Sequence, residues 1–368
     1  MRKAYITGSS IISALGKNKQ DAISKIKTLD NNNYEQYTKD MFSNLRYYAI
    51  KDKLSKEDRF FHIIKTVIFD ALADANMNID ECGQLNIFIG STSLNASVLE
   101  EKYKNENKLN IVCTTLIKEY IIKLLNLKKS IVIFSTACTS SANALIYASN
   151  QIKNNQINKA LVIGLEFYNN LTYNGFNSLM LLSKEKNYAP LDLENSDGLI
   201  LGEACSAVVL NAKEKTKHDF YILQSQNLFD NYSPTSSNPN GEVIHNTIET
   251  TIQKEDISIN DIDIINIHSA GTQSSNEAEL NAFRKLKFSN NLTCMKPFIG
   301  HTLGACSVNE LVLLSSCILN NFIPNTLSTF KNKELNFSNF DTYHNATILF
   351  TYNGFSGNNI SFLISNKV

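Results

Sequence analysis

The chain has 368 residues, 43% of them hydrophobic, with Lys plus Arg and Asp plus Glu at 35 each and so no net charge. That is enough apolar material for one large α/β unit or two modest domains. The absence of a basic excess or basic tract argues against nucleic-acid binding, and no apolar run reaches the roughly 18–20 residues of a membrane span.

In chain order, the start 1-MRKAYITGSSIISALG-16 is broken by Gly and Ser. It reads as a first strand, 4-AYIT-7, and a turn rather than a signal peptide. Phe60, Ile64, Val67, Ile68, Ala71 and Leu72 follow helical spacing within 57–75. Short β-branched runs predict further strands at 86–90, 130–135, 159–166, 205–210, 263–269, 347–352 and 360–365. They are nearly continuous in apolar residues, as strands buried on both faces are, and helical patterns lie between several of them, which argues for α/β layers. The stretch 231-NYSPTSSNPNG-241 is the long-loop candidate. Two segments echo each other: 134-FSTACTSSANALIYA-148 and 298-FIGHTLGACSVNELVLL-314 both read as strand end, small turn and helix. The echo suggests a duplicated fold with its dividing line near 212, giving halves 1–212 and 213–368.

Each echo carries a chemically capable residue at its turn, Cys138 or His301. A cysteine at a helix start faces unpaired N–H groups and the positive end of the helix dipole, which predicts a lowered thiol pKa and a populated thiolate. The other reading is a buried structural cysteine. His268 ends the apolar run 264-IINI-267 ahead of 269-SAGTQSS-275, and His301 sits in 300-GHTLGA-305. Strand ends facing helix starts are where open α/β sheets collect ligands. His62, His218, His245 and His344 read as ordinary. The seven cysteines, at 82, 113, 138, 205, 294, 306 and 317, are odd in number and form no C-x-x-C. Neither a zinc ribbon nor a thioredoxin motif is suggested, and a reducing cytoplasm is the simplest setting.

Five motifs follow in order: 136-TACTS-140, 190-PLDLENSDGLILGE-203, 268-HSAGT-272 with Glu279 beyond it, 296-KPFIGHTLGA-305 with Glu310 beyond it, and 354-GFSGNN-359. Over nearly its whole length the chain resembles a β-ketoacyl-acyl-carrier-protein synthase, a type II elongating ketosynthase of the thiolase superfamily. The resemblance implies a thiolase-like duplicated five-layer α-β-α-β-α fold, dimeric through the strand before Cys138. It implies that Cys138 accepts the acyl chain as a thioester. His268 and His301 would donate hydrogen bonds to the malonyl thioester oxygen as decarboxylation makes an enolate. The backbone N–H groups of Cys138 and Phe355 would form the oxyanion hole, with Phe355 also the gating phenylalanine. Lys296 and Glu310 would be a buried pair supporting the histidines; the simpler reading is a surface lysine and a solvated glutamate. Thr272 would bind the pantetheine arm. No cofactor or metal is implied, since phosphopantetheine arrives on the acyl carrier protein. Coenzyme A-primed initiators pair Cys with His and Asn, and biosynthetic thiolases carry a second cysteine near the C-terminus, so both fit less well.

The match departs from the family pattern in places. Gly and Thr of the H-G-T-G-T loop are Ser269 and Ala270, leaving one threonine donor, and one neutral hydrogen bond is worth about 0.5–1.5 kcal/mol. Ser196 stands for an arginine, Asn276 for an aspartate, Asn358 for a threonine and Asn353 for the first gate phenylalanine. The stretch between 90-GST-92 and 134-FSTAC-138 is shorter than usual. Two readings stand. One is a condensing enzyme of type II fatty acid or polyketide (polyene included) synthesis, and the other a non-catalytic partner like a chain-length factor. Such partners typically lack the cysteine and histidines, so their retention favours the enzyme. The carrier, being acidic, would dock on a basic surface, with Lys53, Lys56 and Arg59 the candidate.

Overall fold

Strands apolar on both faces need cover on both, and the computed structural model shows what supplies it. It describes residues 2–29, 46–52, 54–106, 115–184, 191–289, 291–326 and 335–367. The strands are β1 (Ala4–Ser13), β2 (Tyr47–Tyr48), β3 (Asn86–Gly90), β4 (Ile131–Phe134), β5 (Lys159–Glu166), β6 (Leu201–Gly202), β7 (Ala204–Asn211), β8 (Tyr221–Phe229), β9 (Ile264–Asn266), β10 (Asn291–Thr293), β11 (Thr347–Asn353) and β12 (Asn358–Ser365). The helices are α1 (Lys19–Leu29), α2 (Lys56–Asp74), α3 (Ala96–Glu106), α4 (Thr115–Leu124), α5 (Ser140–Lys153), α6 (Asn170–Ser178), α7 (Glu242–Glu255), α8 (Gln273–Leu286), α9 (Lys296–Ile299) and α10 (Cys306–Leu319).

Ten strands form one sheet in the order β10-β9-β11-β12-β8-β1-β7-β5-β3-β4, and β2 pairs with β6 apart from it. Two five-strand sets repeat one pattern. In the first, β1, β7 and β5 are successively antiparallel, while β5, β3 and β4 run parallel. In the second, β8, β12 and β11 are antiparallel, while β11, β9 and β10 run parallel. The sets meet where Ala4 and Tyr5 pair with Ile222 and Tyr221.

Alternation assigns each strand face to a different core. In β5, Ala160 and Val162 join the central core with α5 and α10, whereas Leu161, Ile163 and Leu165 pack under α2. In β11, Ile348, Phe350 and Tyr352 face the centre, and Leu349 faces α7 and α8. Helix α10 is buried from Cys306 to Ile318, as a helix packed between the two five-strand sets must be. The result is five layers, α2, the first strand set, α5 with α10, the second strand set, and α7 with α8: the layered thiolase-like fold.

Three local expectations are corrected. The turn expected after residue 7 is strand, because β1 pairs with β7 as far as Ser13. Helix α2 lies so close that a Cβ on Gly8 would sit 2.4 Å from the Ala71 carbonyl oxygen. Strand β8 was not expected, since its polar alternation, YILQSQNLF, hid it. Residues 298–299 belong to the short helix α9, with Pro297 in its first turn, rather than to a strand end. Residues 231–241 do form a loop. Among the described residues, no helix is long and apolar enough to cross a membrane.

Candidate active site

Strand β4 ends at Phe134 and α5 begins at Ser140, so Cys138 lies in the turn between them. Ala137 adopts φ +51°, the left-handed region. Local bonds hold this turn: the Thr136 N–H donates to Ser140 Oγ at 2.9 Å, and the Ser140 hydroxyl donates to the Ala137 carbonyl at 2.6 Å. Strand β3 backs it closely, since a Cβ on Gly90 would lie 2.2 Å from Ser141 Cα. Cys138 is 6% exposed, and hydrogen bonding from the Phe355 N–H, and from its own, favours its thiolate.

His268 follows β9. Its backbone N–H and that of Ser269 donate to the two oxygens of Glu279, each at 2.6 Å. His301 lies between α9 and α10, where the Leu303 N–H donates to its Nδ1 at 3.0 Å. A neutral ring accepting at Nδ1 carries its proton on Nε2, so His301 offers a donor to the pocket. The two rings are 5.2 Å apart between centroids and perpendicular, at 89°. Cys138 Sγ and a nitrogen from each ring lie within 4.8 Å of one another. Both nitrogens of His268 and Nε2 of His301 are buried without a hydrogen-bond partner among the described residues. Such a donor set also suits a soft metal ion, but the Lys296 ammonium beside it opposes further positive charge.

Lys296 and Glu310 are both fully buried and 2.8 Å apart. The second Glu310 oxygen accepts from Asn266 Nδ2 at 2.8 Å and the Tyr352 hydroxyl at 3.1 Å. Burial alone would lower the Lys296 pKa, but Glu310 more than offsets this and holds it above the ordinary lysine value. Burial, then Lys296, lowers both histidines well below the ordinary imidazole range. Two neutral imidazoles beside a thiol can donate to a developing oxyanion without adding charge to the resting site.

One expectation is reversed: the Cys138 thiol is pushed up to about 11. Burial is the main cause and outweighs the Phe355 N–H and Lys296, which act in the opposite direction. Helix-start acidification holds for a thiol that water can reach, whereas a dry site penalises the thiolate.

The pocket over Sγ is walled by Phe176, Leu199, Ala270, Thr272 and Phe355. Phe355 stacks on Phe176 at 5.9 Å between ring centroids. Thr272 lines the pocket, and its Oγ1 accepts from the Ser275 N–H at 3.4 Å, capping α8. Ser269 holds φ +37°, where glycine is the easier residue, and its Oγ accepts from the Leu191 N–H at 3.0 Å. The loop 231–241 adds hydroxyls at the mouth, from Thr235, Ser236 and Ser237.

Sequence reasoning missed Glu166, which ends β5. It is buried and accepts from Thr92, from Ser93 and, at 3.1 Å, from the Gly304 N–H. It thereby ties the loop after β3 to the turn that carries His301. Its only signal was an acid closing an apolar run. The basic docking candidate is corrected. Arg59 is committed inside the chain to Glu203 and Asp52, Lys56 faces Glu100 at 3.4 Å, and Lys53 lies outside the described residues.

The description "Beta-ketoacyl synthase, N-terminal domain" matches residues 5–216, and "Beta-ketoacyl synthase, C-terminal domain" matches residues 221–329. A Mycobacterium leprae protein named 3-oxoacyl-[acyl-carrier-protein] synthase 2 is 26% identical over 206 residues, 52% of this chain and 49% of that one. A ketosynthase solved with its chain length factor from Xenorhabdus doucetiae superposes with a TM-score of 0.82 at 18% identity, covering 99% of this chain and 98% of that one. A type II polyketide synthase acyl-carrier protein solved in complex with its ketosynthase contributes a chain that superposes with a TM-score of 0.83 at 18% identity, covering 99% of each. With both domain descriptions matched in sequence and the fold shared end to end, the chain belongs to the β-ketoacyl synthase family.

Proposed function

We propose that this chain catalyses decarboxylative Claisen condensation between an acyl group on Cys138 and a malonyl group on acyl carrier protein, in type II fatty acid or polyketide synthesis. The observation that carries this reading is the convergence of Cys138 Sγ with His268 and His301 within 4.8 Å. In the first half-reaction, Sγ attacks the acyl-carrier thioester, the carrier's C–S bond breaks, and the Cys138 proton ends on the departing carrier thiol. The thiol, protonated at rest, can pass that proton through a neutral histidine. In the second, malonyl carboxylate leaves as CO2 and its electron pair becomes an enolate, which His268 and His301 stabilise. The enolate carbon attacks the acyl carbonyl and Sγ leaves as thiolate, taking up a proton from solvent to restore the thiol. The N–H groups of Cys138 and Phe355 hold the tetrahedral oxyanion.

Lys296 and Glu310 fix the histidines' surroundings, Thr272 meets the pantetheine arm, and Phe355 moves off Phe176 to admit substrate. No dissociable cofactor or metal takes part, since the phosphopantetheine comes with the carrier. The chain works in the cytoplasm as a dimer, with itself or a second ketosynthase-like subunit, through the edge strand β4. We place the division between its halves at 212/213. The repeated strand pattern and the change of matched description between residues 216 and 221 support that division.

A chain-length-factor-like partner is the second reading. It is favoured by the altered 268–272 loop and by the complex of a ketosynthase with its chain length factor among the structural neighbours. Intact-mass spectrometry after incubation with acyl-carrier thioester separates the two. The enzyme gives an acyl adduct that Cys138→Ala abolishes, and malonyl-carrier then discharges it. A folded dimer that never acylates supports the partner.

A further inference from the structure

Three asparagines, remote in sequence, close a ring beside the nucleophile. Asn358 Nδ2 donates to Asn227 Oδ1 at 2.8 Å, Asn227 Nδ2 to Asn143 Oδ1 at 2.9 Å, and Asn143 Nδ2 to Asn358 Oδ1 at 3.1 Å. Each side chain uses its amide as both donor and acceptor, so the ring fixes all three orientations at once. The ring also grips the turn that carries Cys138. The Thr139 hydroxyl lies 2.6 Å from Asn358 Oδ1, and Asn143 Nδ2 donates to Thr136 Oγ1 at 2.9 Å. On the other side, the Asn358 carbonyl accepts the Gly354 N–H at 2.8 Å, closing the loop that holds Phe355. Space there is tight, since a Cβ on Gly354 would come within 3.2 Å of Thr139 Cγ2. Asn358 is thus bonded to the residue after Cys138 and, through its backbone, to the residue before Phe355.

We propose that Asn358 is a positioning residue for acyl transfer, setting the separation of the Cys138 and Phe355 N–H groups that form the oxyanion hole. The inference rests on the condensing-enzyme reading above. It makes a distinction that general loss of structure would not. The oxyanion hole serves the acylation of Cys138, whereas the histidine pair serves the decarboxylation of malonyl-carrier. Disturbing Asn358 should therefore slow one half-reaction and spare the other.

The test measures both half-reactions in the full-length protein: single-turnover acylation by acyl-carrier thioester, and CO2 release from malonyl-carrier without acyl donor. In Asn358→Ala, acylation should fall at least tenfold while decarboxylation stays within about twofold. Asn358→Asp keeps the oxygen that Thr139 and Asn143 meet and should recover most of the acylation rate. Asn227→Ala removes the ring member whose side chain bonds only to the other two asparagines and not to the Cys138 turn, and should slow acylation less than Asn358→Ala does. Equal loss in both half-reactions, or no loss in either, overturns the proposal. If Asn358→Ala does not fold, Asn227→Ala decides by the same ratio: a selective loss in acylation supports the proposal, and unchanged or equally reduced rates overturn it. A wild-type chain inert in both half-reactions would instead remove the condensing-enzyme reading, and this proposal with it.

Discussion

Lys296 and Glu310 sit at zero exposure with their charged atoms 2.8 Å apart, where each charge depends on the other. Removing one partner leaves a buried charge uncompensated, which typically costs about 3–5 kcal/mol. Lys296→Met should lower the denaturant midpoint accordingly, and Lys296→Met with Glu310→Leu should regain most of the loss. If the double variant is no more stable than the single one, the cost is not that of the stranded charge. Cys138 gives a second residue-scale prediction. With its thiol pushed up to about 11, the reactive thiolate is scarce at neutral pH, and its fraction grows about tenfold per pH unit below that value. Alkylation by iodoacetamide should therefore climb steeply between pH 7 and 10 in the resting protein. A flat rate would mean that the thiolate is already formed. Local sequence identified Cys138, His268 and His301 through the motifs around them, and the geometry brings all three together. It misjudged the thiol's acidity because burial comes from α10, the 268–272 loop and the 354–358 loop, none of them neighbours in the chain. Arg59 misled for the same reason: a surface-looking run places its guanidinium against Glu203, 144 residues away.

Among the elements, the contact of β3 with α5 is the one that most directly places the chemistry. A methyl group at Gly90 would collide with the Ser141 backbone, and backbone cannot swing aside as a side chain can. Gly90→Ala should destabilise the fold by about 1–3 kcal/mol and, by displacing the start of α5, slow acylation of Cys138. Unchanged melting and activity would show that α5 shifts freely. Elements with a strong apolar rhythm were legible: β3 and β5 fall where their β-branched runs lie, and α2 is within a residue of its expected span. Ser55 caps that helix by accepting the Asp58 N–H. β8 was not legible, because its stability comes from pairing with β12 and β1 rather than from its own residues. The asparagine ring was equally hidden, since Asn143 and Asn358 are 215 positions apart.

For the whole molecule, β4 is one of the two edge strands of the ten-strand sheet, and among the described residues no further strand pairs with its outer side. Val132 on it is 40% exposed, and Tyr147 behind it, packed on Phe88 and Phe134, is 44% exposed. An unprotected apolar edge is a template for pairing, and the proposed dimer would cover it. Val132→Lys with Tyr147→Glu should shift the protein from dimer to monomer in light scattering after size exclusion. If the mass is unchanged, the interface lies elsewhere.

The join between the two strand sets has a consequence of another kind. Cys138 belongs to the first set and both histidines to the second, and the covalent link between the sets is the exposed stretch 213–218. A protein cut there would become two polypeptides, one bearing the sulfur and the other the imidazoles, neither able to complete a turnover alone. On the condensing-enzyme reading proposed above, condensation would then report their reunion, and the split protein would serve as a two-part sensor for whatever brings the pieces together.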